Sequence, residues 1–233
     1  MHIPDGFLTA EAAAIGTVTA GAGLSVCLQR AMRSVRERDL PLAGLAAAFF
    51  LVGDAPMVPI TVGTQGHLLG GTLAVALLGP WLGGLTIAVV CAIQALVLGD
   101  GGITTLGLTI TNLALVPAFV GYPLLLALRR ALPLAVACGI AAGVNVLLAA
   151  AIFVTEVSLG AAKHVDMSAL AWSTMGAYAA IALAEGAITA VIVRALLRVR
   201  PDLVRVAGDD SPRGLASLGA IARGAILPGK EPR

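Results

Sequence analysis

Apolar residues run almost unbroken along this chain, and the interruptions define its elements. Blocks at residues 8–29, 40–52, 105–128, 132–154 and 168–193 are each closed by charged residues, glycine or proline. A membrane-spanning helix needs about 20 apolar residues, which most of these blocks supply. Residues 68–98 form a further long run, broken at Gly79-Pro80-Trp81-Leu82-Gly83-Gly84, and predict two short helices or a re-entrant pair. Ahead of them, Pro56, Pro59 and the glycines of 60–71 argue against a regular helix before His67. Irregular backbone at membrane depth survives only where protein buries it or where it lines a cavity. The pattern predicts an all-α, polytopic membrane bundle of about seven transmembrane helices.

The basic residues then orient that bundle. Arg30, Arg33, Arg36 and Arg38 follow the first block, Arg129 and Arg130 end the fifth segment, and Arg194, Arg198 and Arg200 end the seventh. With the amino terminus outside, all three clusters face the cytoplasm and Lys163 alone falls on the other side. Residues 1–200 read as the membrane domain. Residues 201–233 are more polar and read as a mostly disordered cytoplasmic tail.

Composition agrees with a lipid setting: 12% of residues are charged, against about 25% in soluble domains. The first Lys or Arg is Arg30, so no basic n-region of a signal peptide is present, and Met1 is expected to persist before the bulky His2. Cys27, Cys91 and Cys138 sit singly in apolar runs and read as small buried hydrophobes. HExxH, GxSxG and GxxxxGK[ST] are absent, so this chain is not expected to be an enzyme or to hydrolyse ATP. There is no nucleic-acid signature.

Candidate chemistry gathers at the first residues, Met1-His2-Ile3-Pro4-Asp5-Gly6. A free amine, the peptide nitrogen of His2 and an imidazole nitrogen of His2 can close two fused chelate rings on one metal ion. A fourth nitrogen would complete a planar set suited to Ni(II) or Cu(II). His67, in the stretch GTQGHLLGG, reads as that donor. The alternatives are a solvated tail residue for His2 and a hydrogen-bonded core residue for His67. Glu185 reads as a packing residue or as a functional intramembrane carboxylate. Gln94, Asn112 and Asn145 read as interhelical hydrogen-bond partners. Asp54, Gln65 and Asn112 are candidates for the shell behind the ligands. Ala12, Gly16 and Ala20 form a small-residue stripe that serves either a partner subunit or packing within the chain.

Together MHIPDGFL, GTQGHLLGG, GDGGITTLG and AEGAITA resemble the CbiM/NikM family, over roughly residues 1–200. These are the substrate-binding membrane subunits of energy-coupling-factor (ECF) transporters for cobalt and nickel. The resemblance implies an amino terminus folded back into the bundle and Co(II) or Ni(II) held by the Met1 amine, the His2 amide and imidazole nitrogens, and His67. The metal is substrate, and no organic cofactor is expected. It also implies a membrane coupling subunit and two cytoplasmic ATPases as partners in the cytoplasmic membrane, with a small accessory membrane subunit as a further candidate. The mechanism that the resemblance implies is capture outside, then release inside after ATP-driven rearrangement. Where the family has a small hydroxyl residue, this chain has Gln65. The rival readings are a stand-alone secondary transporter or channel, and an intramembrane enzyme using Glu185 with His67 as an acid–base pair.

Overall fold

The computed structural model describes residues 2–54, 58–61 and 64–208, with backbone alone for Arg38, 58–61 and 64–65. Helix α1 (Ala10–Ser34) begins where the Thr9 hydroxyl accepts the Ala12 amide, and a single 3₁₀ turn leads from it into α2 (Leu40–Gly53). A short antiparallel hairpin follows, β1 (Val58–Thr61) and β2 (Thr64–Gly66), where the prolines and glycines rule out a helix. It is the one sheet among the described residues, beside a single antiparallel bridge between Leu8 and Ala161. Then come α3 (Gly71–Leu78), α4 (Pro80–Leu96), α5 (Leu106–Leu128), α6 (Leu134–Gly160) and α7 (Met167–Val199).

Four of these helices, α1, α5, α6 and α7, are long and apolar enough to cross a bilayer. Helices α2 and α4 are shorter, at 14 and 17 residues. The run 68–98 resolves into two helices joined at Gly79, whose φ of 80° permits the reversal. At 1.5 Å per residue α3 rises only about 12 Å and α4 about 26 Å. All of α3 except Leu77 is buried, so protein rather than lipid surrounds it. Its start, just after His67, therefore lies well inside the bundle. Outside, Ile15, Val18, Leu45, Phe49, Trp172, Leu183 and Val191 present the apolar surface that a bilayer covers.

Close approach of backbones holds the helices together. A Cβ on Gly139 would come within 2.6 Å of the Gly186 carbonyl, and one on Gly143 within 3.1 Å of the Ala182 carbonyl. Two small-xxx-small pairs thus cross where α6 meets α7. The stripe on α1 has the same use within the chain: Gly16 lies on Leu108 of α5, and Ala12 meets Gly160 at the end of α6. Helix α5 carries two widened π turns, at Thr111–Leu115 and Pro117–Gly121, and α3 begins against them at Leu113 and Pro117.

Two opposed ends result. At one, the α1–α2 turn, the α3–α4 turn and the end of α5 meet the segment after α7. Arg205 donates to the Ser34 carbonyl at 3.2 Å, lies 3.6 Å from the Asp39 carboxylate and covers Gly79. Arg129 donates to the Val206 carbonyl. Val204 and Val206 are buried. The turns at Pro201–Leu203 and Arg205–Gly208 therefore dock onto the helices, although composition assigns them to the tail; residues 209–233 lie outside the described residues. Two boundaries also move. Arg30 and Arg33 belong to the last turns of α1, and the block at 132–154 extends as helix α6 to Gly160, past Glu156.

Gly107 is the tightest point between α1 and α5, since a Cβ there would lie 2.5–2.6 Å from the backbone of Gly16 and Thr17. Gly107→Ala is expected to destabilise the protein by about 1–3 kcal/mol through overpacking. Thermal unfolding in detergent checks this, with Gly176→Ala, which has open space at its Cβ, as the reference.

Candidate metal centre

At the other end, the first residues are built into the fold. Ile3 is fully buried, and its carbonyl accepts from the Gly102 amide at 2.8 Å and the Thr105 hydroxyl at 2.5 Å. The Asp5 carboxylate accepts from the Ile103 and Thr104 amides at 3.1 and 2.8 Å, and from the Thr104 hydroxyl at 2.5 Å. Those bonds, the Thr104 hydroxyl foremost, hold its carboxyl below the usual range. Gly6, at φ 75°, turns the chain toward the α6–α7 loop. There Thr9 donates to the Gly160 carbonyl and Phe7 accepts from Ala162. Residues 2–9 are thus laced to two loops before α1 begins.

Glycine makes this approach possible. A Cβ on Gly101 (φ 92°) would stand 2.9 Å from the His2 Cβ, and one on Gly102 would stand 2.6 Å from the Asp5 amide nitrogen. The sequence GDGG is the bed on which the segment lies.

Folded in this way, His2 is buried and its ring stacks on His67, with centroids 4.9 Å apart and planes 16° from parallel. Two of the three histidines in the chain therefore meet across 65 positions of sequence. The His2 Nε2 is 3.5 Å from an Asp100 carboxylate oxygen and has no hydrogen-bond partner among the described residues. His67 Nδ1 is 2.5 Å from the Leu68 carbonyl, a contact that requires the proton on Nδ1 and leaves the lone pair on Nε2. The third histidine, His164, is exposed in the α6–α7 loop.

The remaining candidates are placed as follows. Glu185 accepts from the Leu69 and Gly70 amides, just beyond His67, so its contacts are with the backbone of the loop rather than with the imidazole. Asp54 ends α2 and accepts from Gln94 at 3.4 Å; Asn112 donates to Glu156 at 2.8 Å, and Asn145 to Thr72 at 3.0 Å. Among the described residues, Asp54 and Asn112 thus bond to neighbours other than the two imidazoles. Gln65 is in β2, with its side chain outside the described residues, as is Met1. Among the described residues, no three His, Cys, Asp or Glu side chains converge as a metal-ligand set. Sequence reasoning missed Asp5, Asp100, Thr104 and Thr105. Their signal was the polar, glycine-rich loop 99–105, whose partner lies a hundred positions away.

The family profile for CbiM, described as the cobalt uptake substrate-specific transmembrane region, matches residues 2–203. The chain belongs to the CbiM family. An Archaeoglobus fulgidus protein that carries the name of a fused nickel transport protein, NikMN, is 35% identical over 223 residues, 95% of this chain and 74% of the relative. The cobalt transport protein CbiM of Geobacter sulfurreducens is 32% identical over 245 residues, 100% of this chain and 66% of the relative. A crystal structure titled as that of a transition metal transporter superposes with a TM-score of 0.81 at 27% identity, covering 96% of this chain and all of the other. Cobalt and nickel thus both occur in the names of the relatives. In this CbiM chain the fold, the multi-pass apolar helices and the family agree on a membrane transport protein.

Burial pushes the His2 imidazole from 6.5 down to about 3. A released segment would take up the proton across that interval and a seated one would not. The contribution of neutral His2 to seating is therefore fully present above about pH 6.5 and is lost as the pH falls toward 3. Hydrogen exchange at the Gly102 and Thr104 amides checks this. Protection is expected to decline progressively on acidification below pH 6.5, and protection unchanged down to pH 4 would contradict it.

Proposed function

We propose that this chain captures Ni(II) or Co(II) outside the cell as the substrate-specific subunit of an ECF-type uptake system. The ligands are the Met1 amine, the His2 amide and imidazole nitrogens, and His67. The observation that carries this reading is the buried stack of His2 on His67, in a fold that anchors residues 2–9 on both sides. Two side-chain imidazoles alone are too few for a high-affinity site, and the amine and amide next to His2 supply the nitrogens to complete a planar set. Such a set favours Ni(II) over Co(II), and Cu(II) over both by raw affinity, so the metals available to the cell also decide what is carried.

Orientation follows from the two ends. The arginine-rich end, closed by Arg205 and Arg129, faces the cytoplasm, and the histidine end faces outward. This supports capture outside and release inside, in the cytoplasmic membrane. The chain has no phosphate-binding loop, so the energy comes from partners or from a coupled ion, and membership of the CbiM family favours partners: a membrane coupling subunit with two cytoplasmic ATPases, and a small accessory membrane subunit as a further partner. Family and relatives are transport proteins, which favours this over an intramembrane enzyme.

Calorimetric titration of purified protein with Ni(II) and Co(II) tests the ligand set. A Gly-Ser extension before Met1 turns the amine into an amide and leaves every helix in place. Both that form and His67→Ala are expected to lose tight binding. Affinity of the native form is expected to fall from neutral to mildly acidic pH, because the amine (free pKa about 7.7–8.0) and the amide must release protons. Equal binding by native and extended forms, or binding flat with pH, would count against nitrogen coordination at the terminus.

A further inference from the structure

Glu185 stands on α7 and is buried inside the bundle, 116 positions from the loop it touches. Its Oε2 accepts from the Leu69 amide at 2.6 Å and its Oε1 from the Gly70 amide at 3.0 Å. These amides precede the first turn of α3, where helix geometry leaves N–H groups without partners. They also follow His67 by two and three residues. The same loop is fixed twice more. His67 Nδ1 meets the Leu68 carbonyl, and Gly70, at φ 66°, lies so close to Phe50 that a Cβ would come within 2.5 Å of the ring. Beneath the loop is a cavity with room for about one water molecule, lined in part by Leu69, Thr72, Asn112, Asn145 and Glu185. The two bonds from Glu185 tie the loop beside this space to a 33-residue helix.

We propose that Glu185 is the positioning residue of the metal site. By holding residues 67–70 it keeps the His67 imidazole in register with His2, and so sets both the affinity for the metal and the planarity of its coordination. The inference rests on the ligand set proposed above and adds a determinant from α7 to it. Bonds from a carboxylate to backbone amides are shorter and stronger than neutral ones, which suits a group that fixes a loop rather than one that binds the ion. A role confined to general stability would lower the melting temperature and leave the geometry of the bound metal unchanged.

The test uses full-length protein with a native terminus, titrated with Ni(II) alone and followed by calorimetry and by the visible d–d band of planar Ni(II). Glu185→Gln keeps the shape but puts an NH₂ group against one of the two amides. It is expected to weaken Ni(II) binding 10- to 100-fold and to diminish or shift that band. Thr189→Val, one turn along the same helix, is expected to keep wild-type affinity and spectrum. If Glu185→Gln binds like wild type with the same band, or if both variants lose affinity in step with melting temperature, the proposal is overturned. Should Glu185→Gln fail to fold, hydrogen exchange on the unaltered protein decides: Leu69 and Gly70 amides are expected to exchange slowly, and rapid exchange overturns the proposal. The Gly-Ser-extended form separates the two layers. Loss of binding on extension with a neutral Glu185→Gln removes only the role of Glu185, whereas undiminished binding on extension removes the terminal ligand set and this inference with it.

Discussion

The arrangement depends on the docking of residues 2–9 against the loop 99–105. An amino terminus ordinarily frays because nothing offsets the entropy lost in ordering it. Here the Ile3 carbonyl, the Asp5 carboxylate and the buried Ile3 side chain each find partners, and Gly101 and Gly102 remove the side chains that would keep the segment out. Without that bed His2 would be a solvated tail residue. With it, His2 is buried against His67 in a protein interior.

The bundle around this contact is shaped to receive it. A full-length third helix would carry His67 to the surface; an eight-residue helix wrapped in protein keeps its start deep. Starting a helix inside the bundle leaves amide groups to satisfy, and the Glu185 carboxylate takes two. The cost of a carboxylate at that depth is offset by these bonds, which is why it is found facing the bundle rather than lipid. At the opposite end Arg205, Arg129 and the buried Val204 and Val206 tie the helix termini together. The bundle is therefore fastened at both ends, by carboxylates and backbone bonds at the histidine end and by arginines at the other.

Much of this was legible in the sequence. Hydrophobic runs gave the helices because lipid-facing helices are apolar all round, and Pro59 with the neighbouring glycines marked the non-helical stretch that became the hairpin. His2 and His67 stood out because histidine is scarce in this chain. What was illegible involved partners far apart: Asp5 with Thr104, Glu185 with Leu69 and Gly70, Gly16 with Gly107. Those pairings depend on helix order in space, which no local pattern records. Ordered residues 201–208 were hidden because two buried valines among charged neighbours look like a polar tail. The widened turns in α5 likewise left no sharper mark than Pro117.

X-ray absorption at the nickel edge on Ni(II)-loaded protein reports whether one metal ion is held by nitrogen from the amino terminus and from His67. Four nitrogen neighbours in a planar array are expected, with the pre-edge feature of square-planar Ni(II). Six-coordinate nickel with mainly oxygen neighbours would contradict that coordination and would place the ion away from the His2–His67 stack.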